Sequence, residues 1–266
     1  MGRLSDVFAA REKAGRTALI TYFCAGDPSA DTTVAVAVAA AEAGADVLEL
    51  GMPFSDPTAD GPAIQRASER ALHAGMTLQK TLDVARRIRA RSAIPIVLFG
   101  YYNPILAYGE ERLVQEAKAA GVDGMLVVDL PPEECEVLRG PLRAAGMDFV
   151  PLVAPTSVEA RVKLAASVAD AFIYYVSLTG VTGSATADFE AAAKRARAVH
   201  VSTGKPVAVG FGVSTAEDVQ KLAPHAAGVI VGSALVRAVE NAADEAEAVK
   251  NVTQLVRSLA SATARG

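Results

Sequence analysis

Helix-forming stretches that end in Ala-Gly and run straight into a block of Val, Ile and Leu recur along this chain: EAGADVLELG at 42–51, AAGVDGMLVVDL at 119–130 and AAGMDFVPLVAP at 144–155. Looser copies are SVADAFIYYVS at 167–177 and HAAGVIVGS at 225–233. The glycine is the residue expected just past a helix end, where the backbone turns left-handed. An unbroken apolar block marks a parallel strand covered on both faces. With ALITYF (18–23), IPIVLFGYY (94–102) and KPVAVGFG (205–212) the count reaches about eight strands, each followed by a helical stretch. The pattern predicts an α/β fold, a (β/α)8 TIM barrel, with a doubly wound open sheet as the alternative. An extra N-terminal helix over 3–14 is expected to cap the barrel bottom. No Gly/Ser or Pro linker divides the 266 residues, so 1–266 reads as a single (β/α)8 barrel domain.

In this fold the chemistry lies at the C-terminal ends of the strands and in the loops that follow them. Asp27 falls after strand one, Glu49 in strand two, Asn103 after strand three, Asp129 after strand four and Tyr174 in strand six. The longest of the early loops belongs to LELGMPFSDPTADGP (48–62), which adds Asp56 and Asp60 behind Glu49. Pro53, Pro57 and Pro62 forbid a regular helix or central strand through it. A glutamate inside VLELG is costly unless paired. Burial would raise its pKa and let it act as both acid and base near neutral pH. The structural alternatives are an interior salt bridge for Glu49, a helix cap for Asp60, turn formation for Asp56 and plain packing for Tyr174.

Three glycine turns cluster late in the chain: GVTGS (180–184), GFGVS (210–214) and GS (232–233). The second and third, with Gly210, Phe211, Gly212, Gly232 and Ser233, precede helical patterns. Glycine admits close backbone approach, and helix starts point free N–H groups outward. Phosphate binding is expected there, after strands seven and eight. GFGVST is no dinucleotide fingerprint, since it lacks the third glycine.

Absences narrow the reaction. None of the eight lysines falls at a strand C-terminus, and Lys205 begins strand seven at the wrong end, so a Schiff-base mechanism is not expected. His73, His200 and His225 fall in helices or lower loops, and with no Cys pairs no zinc site is expected. A magnesium site built from carboxylates alone stays open. What remains at the mouth suits acid–base chemistry on a small phosphorylated substrate. The net charge of −4 and the lack of a basic block argue against nucleic acid. No apolar run approaches a membrane span, and the charged N-terminal helix is no signal peptide. Cys24 and Cys135 read as reduced core thiols of a cytoplasmic protein.

The segment ADVLELGMPFSDPTADGPAIQ resembles the signature of the tryptophan synthase alpha subunit. The resemblance extends to GDP at 26–28, YYNP at 101–104, VDLP at 128–131, GVTG at 180–183, GFG at 210–212 and GSA at 232–234. It implies retro-aldol cleavage of indole-3-glycerol phosphate to indole and glyceraldehyde 3-phosphate, with no cofactor and no metal. By the same resemblance Glu49 is the acid–base residue, Asp60 binds the indole N–H, and Tyr174 sits beside the substrate. Tyr22 and Phe99 would line the indole pocket. Thr182 and Gly183 would lie in a loop that closes over the site, and Gly212 and Ser233 in the phosphate cradle. Pro53 and Asp56 would contact a beta subunit, which alone would carry pyridoxal phosphate, in an alpha2beta2 assembly. One departure is Leu178, where some members carry arginine. The competing expectations are a stand-alone lyase that releases free indole and a non-catalytic phosphate-binding subunit.

Overall fold

The computed structural model describes residues 2–176, 189–210 and 212–265. Nine parallel strand segments follow one another in the order β5-β4-β3-β2-β1-β9-β8-β7-β6. They are β1 (Ala18–Cys24), β2 (Val47–Gly51), β3 (Ile96–Gly100), β4 (Gly124–Val127), β5 (Asp148–Phe149), β6 (Leu152–Val153), β7 (Ile173–Val176), β8 (Val207–Gly210) and β9 (Gly228–Val231). Every residue of β1 to β4 is buried, as the unbroken apolar blocks require. Truncating one of the fully buried side chains there, Leu48 or Leu98 for example, would cost ~2–5 kcal/mol through lost burial and the cavity left behind.

The count of eight barrel strands is reconciled with nine segments at the fifth strand. One continuous strand was expected there, but Pro151 has no N–H to give a ladder. β5 pairs with β4, and β6 pairs with β7. Between them the Val150 N–H donates to the Met125 carbonyl at 2.9 Å, and the Pro151 carbonyl accepts from the Tyr174 N–H at 3.0 Å. The two ends of the strand order are therefore joined by the chain itself, and the sheet closes into a TIM barrel.

The helices are α1 (Arg3–Lys13), α2 (Ala30–Ala43), α3 (Pro62–His73), α4 (Leu78–Arg89), α5 (Tyr102–Tyr108), α6 (Glu110–Ala120), α7 (Glu136–Ala144), α8 (Glu159–Val168), α9 (Phe189–Thr203), α10 (Ala216–Leu222), α11 (Ser233–Glu240) and α12 (Glu245–Ser261). The Ala-Gly signal works as anticipated at Gly44 and Gly121, both left-handed caps with φ of 113° and 85°. It misleads at Gly228, which opens β9 and has no cap role. A Cβ there would lie 3.0 Å from that of Ala208 and 3.2 Å from the Phe8 ring. That contact places α1 beneath the barrel, where Phe8 also meets Phe172 with ring centroids 4.9 Å apart.

A repeated ionic device fastens this lower end. Asp46, Asp123 and Asp170 stand just before β2, β4 and β7. Each accepts an N–H from the start of another barrel strand: Leu19 at 2.8 Å, Ile96 at 2.9 Å and Phe149 at 3.1 Å. Each also holds an arginine: Arg11 at 2.6 Å, Arg89 at 2.7 Å and Arg139 at 3.1 Å respectively.

Candidate active site

At the opposite, C-terminal end of the strands lies a cavity of about 290 Å³. Tyr22, Glu49, Phe99, Tyr174 and Ile230 reach into it from β1, β2, β3, β7 and β9. Asp60, Gly61 and Ile64 come from the loop and helix after β2, while Gly212, Ser214, Gly232, Ser233 and Arg237 form the far wall. The barrel thus gathers Glu49, Asp60, Tyr174, Tyr22, Phe99, Gly212, Gly232 and Ser233 around one space. Gly210 ends β8 beneath it. Thr182, Gly183, Phe211 and Leu178 lie outside the described residues.

The aromatic groups are fixed by missing side chains. Tyr22 and Phe99 meet edge to face at 5.3 Å, and Phe99 and Tyr174 stand 6.5 Å apart. A Cβ on Gly51 would fall 2.2 Å from the Tyr22 hydroxyl oxygen, and one on Gly210 would fall 2.3 Å from that of Tyr174. The two glycines therefore make the slots in which these phenols lie. Burial pushes both phenols well above their usual pKa, so each presents a neutral O–H.

Glu49 is 1% exposed, and its Oε1 has no hydrogen-bond partner among the described residues. The salt-bridge alternative for it is thereby set aside. Burial pushes its carboxyl up to about 8, so it is mostly protonated at neutral pH. Asp60 differs. Burial lifts it to about 6, while a hydrogen bond with the Tyr101 side chain works the other way. At neutral pH Asp60 is mostly an anion. Two carboxyl groups in one cavity, held in opposite protonation states, make a proton donor and a counter-charge available together.

Tyr101, which begins YYNP, draws no expectation from the sequence, yet it supports Asp60 in the fold. Its hydroxyl accepts from the Ala59 N–H at 3.1 Å and bonds Asp60, and its ring packs on Phe54 at 5.3 Å. It is a strut that sets the height of the Asp60 loop. The loop's own turns contribute: Asp60 N–H donates to the Pro57 carbonyl at 3.0 Å, and Gln65 donates to the Asp60 carbonyl at 2.9 Å. Asp60 is not the cap of α3, whose N-cap is Gly61 with Pro62 in the first turn.

Three of the polar residues expected at the mouth do other work. Asp27 is buried and receives both Arg70 Nε and Nη2, at 2.8 and 2.9 Å. Asp129 accepts the Tyr102 N–H at 2.7 Å, and Asn103 is a residue of α5. Pro53 and Asp56 do not line the cavity. Asp56 is exposed and belongs to a separate outer groove with Phe54, Pro57, Gln65 and His73.

The two helix starts expected to offer N–H groups are not alike. At α10, the Asp218 carboxylate accepts the Ser214 and Thr215 N–H groups at 2.9 Å each, closing a capping box with Thr215. Burial works against its charge, yet these bonds prevail and hold Asp218 below its usual pKa. The start of α11 has no side-chain cap, and Gly212 nearby takes a φ of 79° that favours glycine. The open donors at this wall are therefore those of the Gly232–Ser233 turn. Lys205, as anticipated, is at the other end of the barrel, bonded to the Ala169 carbonyl at 2.7 Å. Among the described residues no group of three or more His, Cys, Asp or Glu side chains is placed to hold a metal ion.

The family model described as "Tryptophan synthase alpha chain" matches residues 8–264. A protein of that name from Aromatoleum aromaticum is 47% identical over 263 residues, covering 98% of this chain and 97% of its own. Another from Geobacter sulfurreducens is 49% identical over 240 residues, covering 90% and 91%. Among solved structures, tryptophan synthase of Mycobacterium tuberculosis superposes with a TM-score of 0.91 at 34% identity, covering 100% of this chain and 99% of its own.

Proposed function

The chain belongs to the tryptophan synthase alpha chain family and is a carbon–carbon lyase that cleaves indole-3-glycerol phosphate in tryptophan biosynthesis; from this premise we propose how its residues divide the reaction. Glu49, protonated at rest, delivers its proton to indole C3. The ring becomes an indolenine cation whose N–H faces the Asp60 carboxylate. The Glu49 carboxylate so formed takes the proton of the glycerol hydroxyl next to the ring. The C–C bond then breaks, its electron pair restores the indole, and glyceraldehyde 3-phosphate leaves as the aldehyde. Glu49 ends protonated, ready for another turn. A fixed anion at Asp60 is worth more to the cationic intermediate than to neutral substrate, which is what lowers the barrier.

Tyr22 and Phe99 line the indole pocket, Tyr174 borders the reacting carbons, and the Gly212 and Gly232–Ser233 turns hold the phosphate. No prosthetic group takes part, and pyridoxal phosphate belongs to the beta partner. The observation that carries this assignment is the cation-free burial of Glu49 beside a charged Asp60. Indole formation from indole-3-glycerol phosphate tests it: Glu49→Gln and Asp60→Asn must each lose activity while the fold persists.

The family implies a beta-subunit partner, and we propose an alpha2beta2 assembly in the cytoplasm. No helix among the described residues is long and apolar enough to cross a membrane. One contiguous core of buried side chains supports the reading of the barrel as a single domain. Docking at Pro53 and the exposed Asp56 would act on Asp60 through the proline-stiffened loop between them. Asp56→Ala should lose most of the beta subunit's activation of indole formation while its solo rate stays near wild type. Equal activation of both proteins removes Asp56 from the coupling, and activation of neither favours the stand-alone lyase.

A further inference from the structure

Arg237 is the only cationic side chain that lines the catalytic cavity among the described residues. It lies on α11, four residues beyond Ser233, so both share the helix face turned to the cavity. On an isolated helix its natural partner would be Glu240, three residues on. That carboxylate is already engaged by α3. Its Oε1 accepts from Arg66 Nε at 2.9 Å and Arg70 Nη1 at 2.7 Å, and its Oε2 from Arg66 Nη2 at 2.8 Å. These two arginines hold Glu240 down to about 2. Arg237 itself enters no ion pair among the described residues.

The charge of the cavity calls for such a group. Its other ionisable side chains are the carboxyls Glu49 and Asp60 and the two neutral phenols. A phosphate monoester dianion brought into that space meets the Asp60 anion. The helix start at Ser233 supplies only a partial positive charge. A guanidinium one turn further along supplies a whole one, in a planar fork that suits phosphate oxygens.

We propose that Arg237 is the charged ligand of the substrate's phosphate group, and that α3 leaves it free for this by holding Glu240. The assignment rests on the reading of the Gly212 and Gly232–Ser233 turns as the phosphate cradle. It makes the enzyme selective for a phosphorylated side chain over the free indole-glycerol, because only the phosphate offers the guanidinium an anionic partner.

The test uses the full-length protein and its Arg237→Gln and Arg237→Lys variants. Binding of glycerol 3-phosphate and, separately, of indole is measured by calorimetry, together with steady-state cleavage of indole-3-glycerol phosphate. Arg237 is exposed and unpaired, so both variants are expected to melt with the wild type. Arg237→Gln should weaken glycerol 3-phosphate by about 10–100-fold, the scale of a lost charge-assisted hydrogen bond. KM should rise by a similar factor with kcat nearly kept, since the contact is made equally before and during reaction. Indole affinity should not change, and Arg237→Lys should recover part of the loss. Unchanged glycerol 3-phosphate affinity in Arg237→Gln overturns the role of Arg237 and leaves the cradle standing. Equal losses for indole and glycerol 3-phosphate would mean a general collapse of the cavity and also overturn it. A wild type that does not bind glycerol 3-phosphate overturns the cradle and the proposal together.

Discussion

Two sets of acids, one at each end of the barrel, are treated in opposite ways. Below, Asp46, Asp123 and Asp170 each have a strand N–H and an arginine. Above, Glu49 has an orphan oxygen and no cation, and Asp60 has a tyrosine hydroxyl. An acid supplied with donors serves as a fastening, and its proton is of no use to the protein. An acid starved of donors in an apolar space keeps its proton to unusually high pH, and the energy of that isolation becomes available to chemistry. The difference is one of partners, since residue type and burial are similar at both ends.

The comparison breaks most visibly if the upper acids prove structural. Glu49→Gln should reduce kcat for indole formation by about 10²-fold or more, and Asp60→Asn by about 10²-fold, the usual reach of a general acid–base group or a fixed counter-charge. Both should melt no lower than the wild type, because each removes a buried charge or a strained proton equilibrium. A drop in melting temperature with turnover retained would place these acids in the same class as the lower ones.

The reverse holds below. Asp123→Ala takes the counter-ion from Arg89, 17% exposed at its side chain and still bonded to the Gly121 and Ser92 carbonyls, and leaves the Ile96 N–H without its acceptor. A loss of about 2–3 kcal/mol is expected for a partly buried pair broken on one side. In a chain of this size that lowers the melting temperature by roughly 5–10 °C. Turnover at 25 °C should stay within about twofold, and chemical denaturation read beside the assay separates the two effects.

A smaller effect sharpens the contrast through pH. Glu49 ordinarily titrates at 4.5 and in the fold at about 8. Between those values the unfolded chain has released the proton that the folded one still holds. Stability assigned to Glu49 is therefore full below about 4.5 and falls as pH rises toward 8. Asp60 adds a smaller loss of the same sign between 3.8 and about 6. Urea melts from pH 5 to 8 should show wild type losing stability relative to Glu49→Gln as pH rises, and equal slopes would mean that Glu49 is charged in the fold. The same pair predicts a kcat/KM profile that falls on the acid side near 6, where Asp60 loses its charge, and on the basic side near 8, where Glu49 loses its proton.

Legibility in the sequence followed how unusual each residue is in its setting. Glu49 stood out because a charge interrupts an apolar block, and Asp60 because prolines stiffen the loop that carries it. The strand count was readable from repetition, and its one irregularity had a visible cause in Pro151, whose missing N–H divides the fifth strand. The lower aspartates sit inside the repeats, Asp46 and Asp123 each two residues past the glycine, yet nothing local says that they grip other strands, since those contacts span 21 to 27 residues. Tyr101 gave no signal, because a tyrosine at a strand end is common and only its contact with Asp60 gives it a role. Arg237 was the least legible. A helix arginine near a glutamate looks like a surface pair until the structure shows that Glu240 faces another helix.

The glycine slots at the cavity floor constrain how such a sequence can drift. Losing the Tyr22 hydroxyl would not make room for a side chain at position 51, because the ring carbons Cζ and Cε2 would still lie 2.6 and 2.8 Å from the new Cβ. The same is true of Gly210 against the Tyr174 ring, at 2.7 and 2.9 Å. A tyrosine-to-phenylalanine exchange, ordinarily the mildest available, therefore opens no neutral path to alanine at either glycine. Each glycine and its tyrosine must change together and by a large step, through an intermediate that either clashes or is hollow. The floor of the cavity is in this sense inherited in pairs, and a descendant with a small residue at 22 or 174 is where a side chain at 51 or 210 should first be looked for.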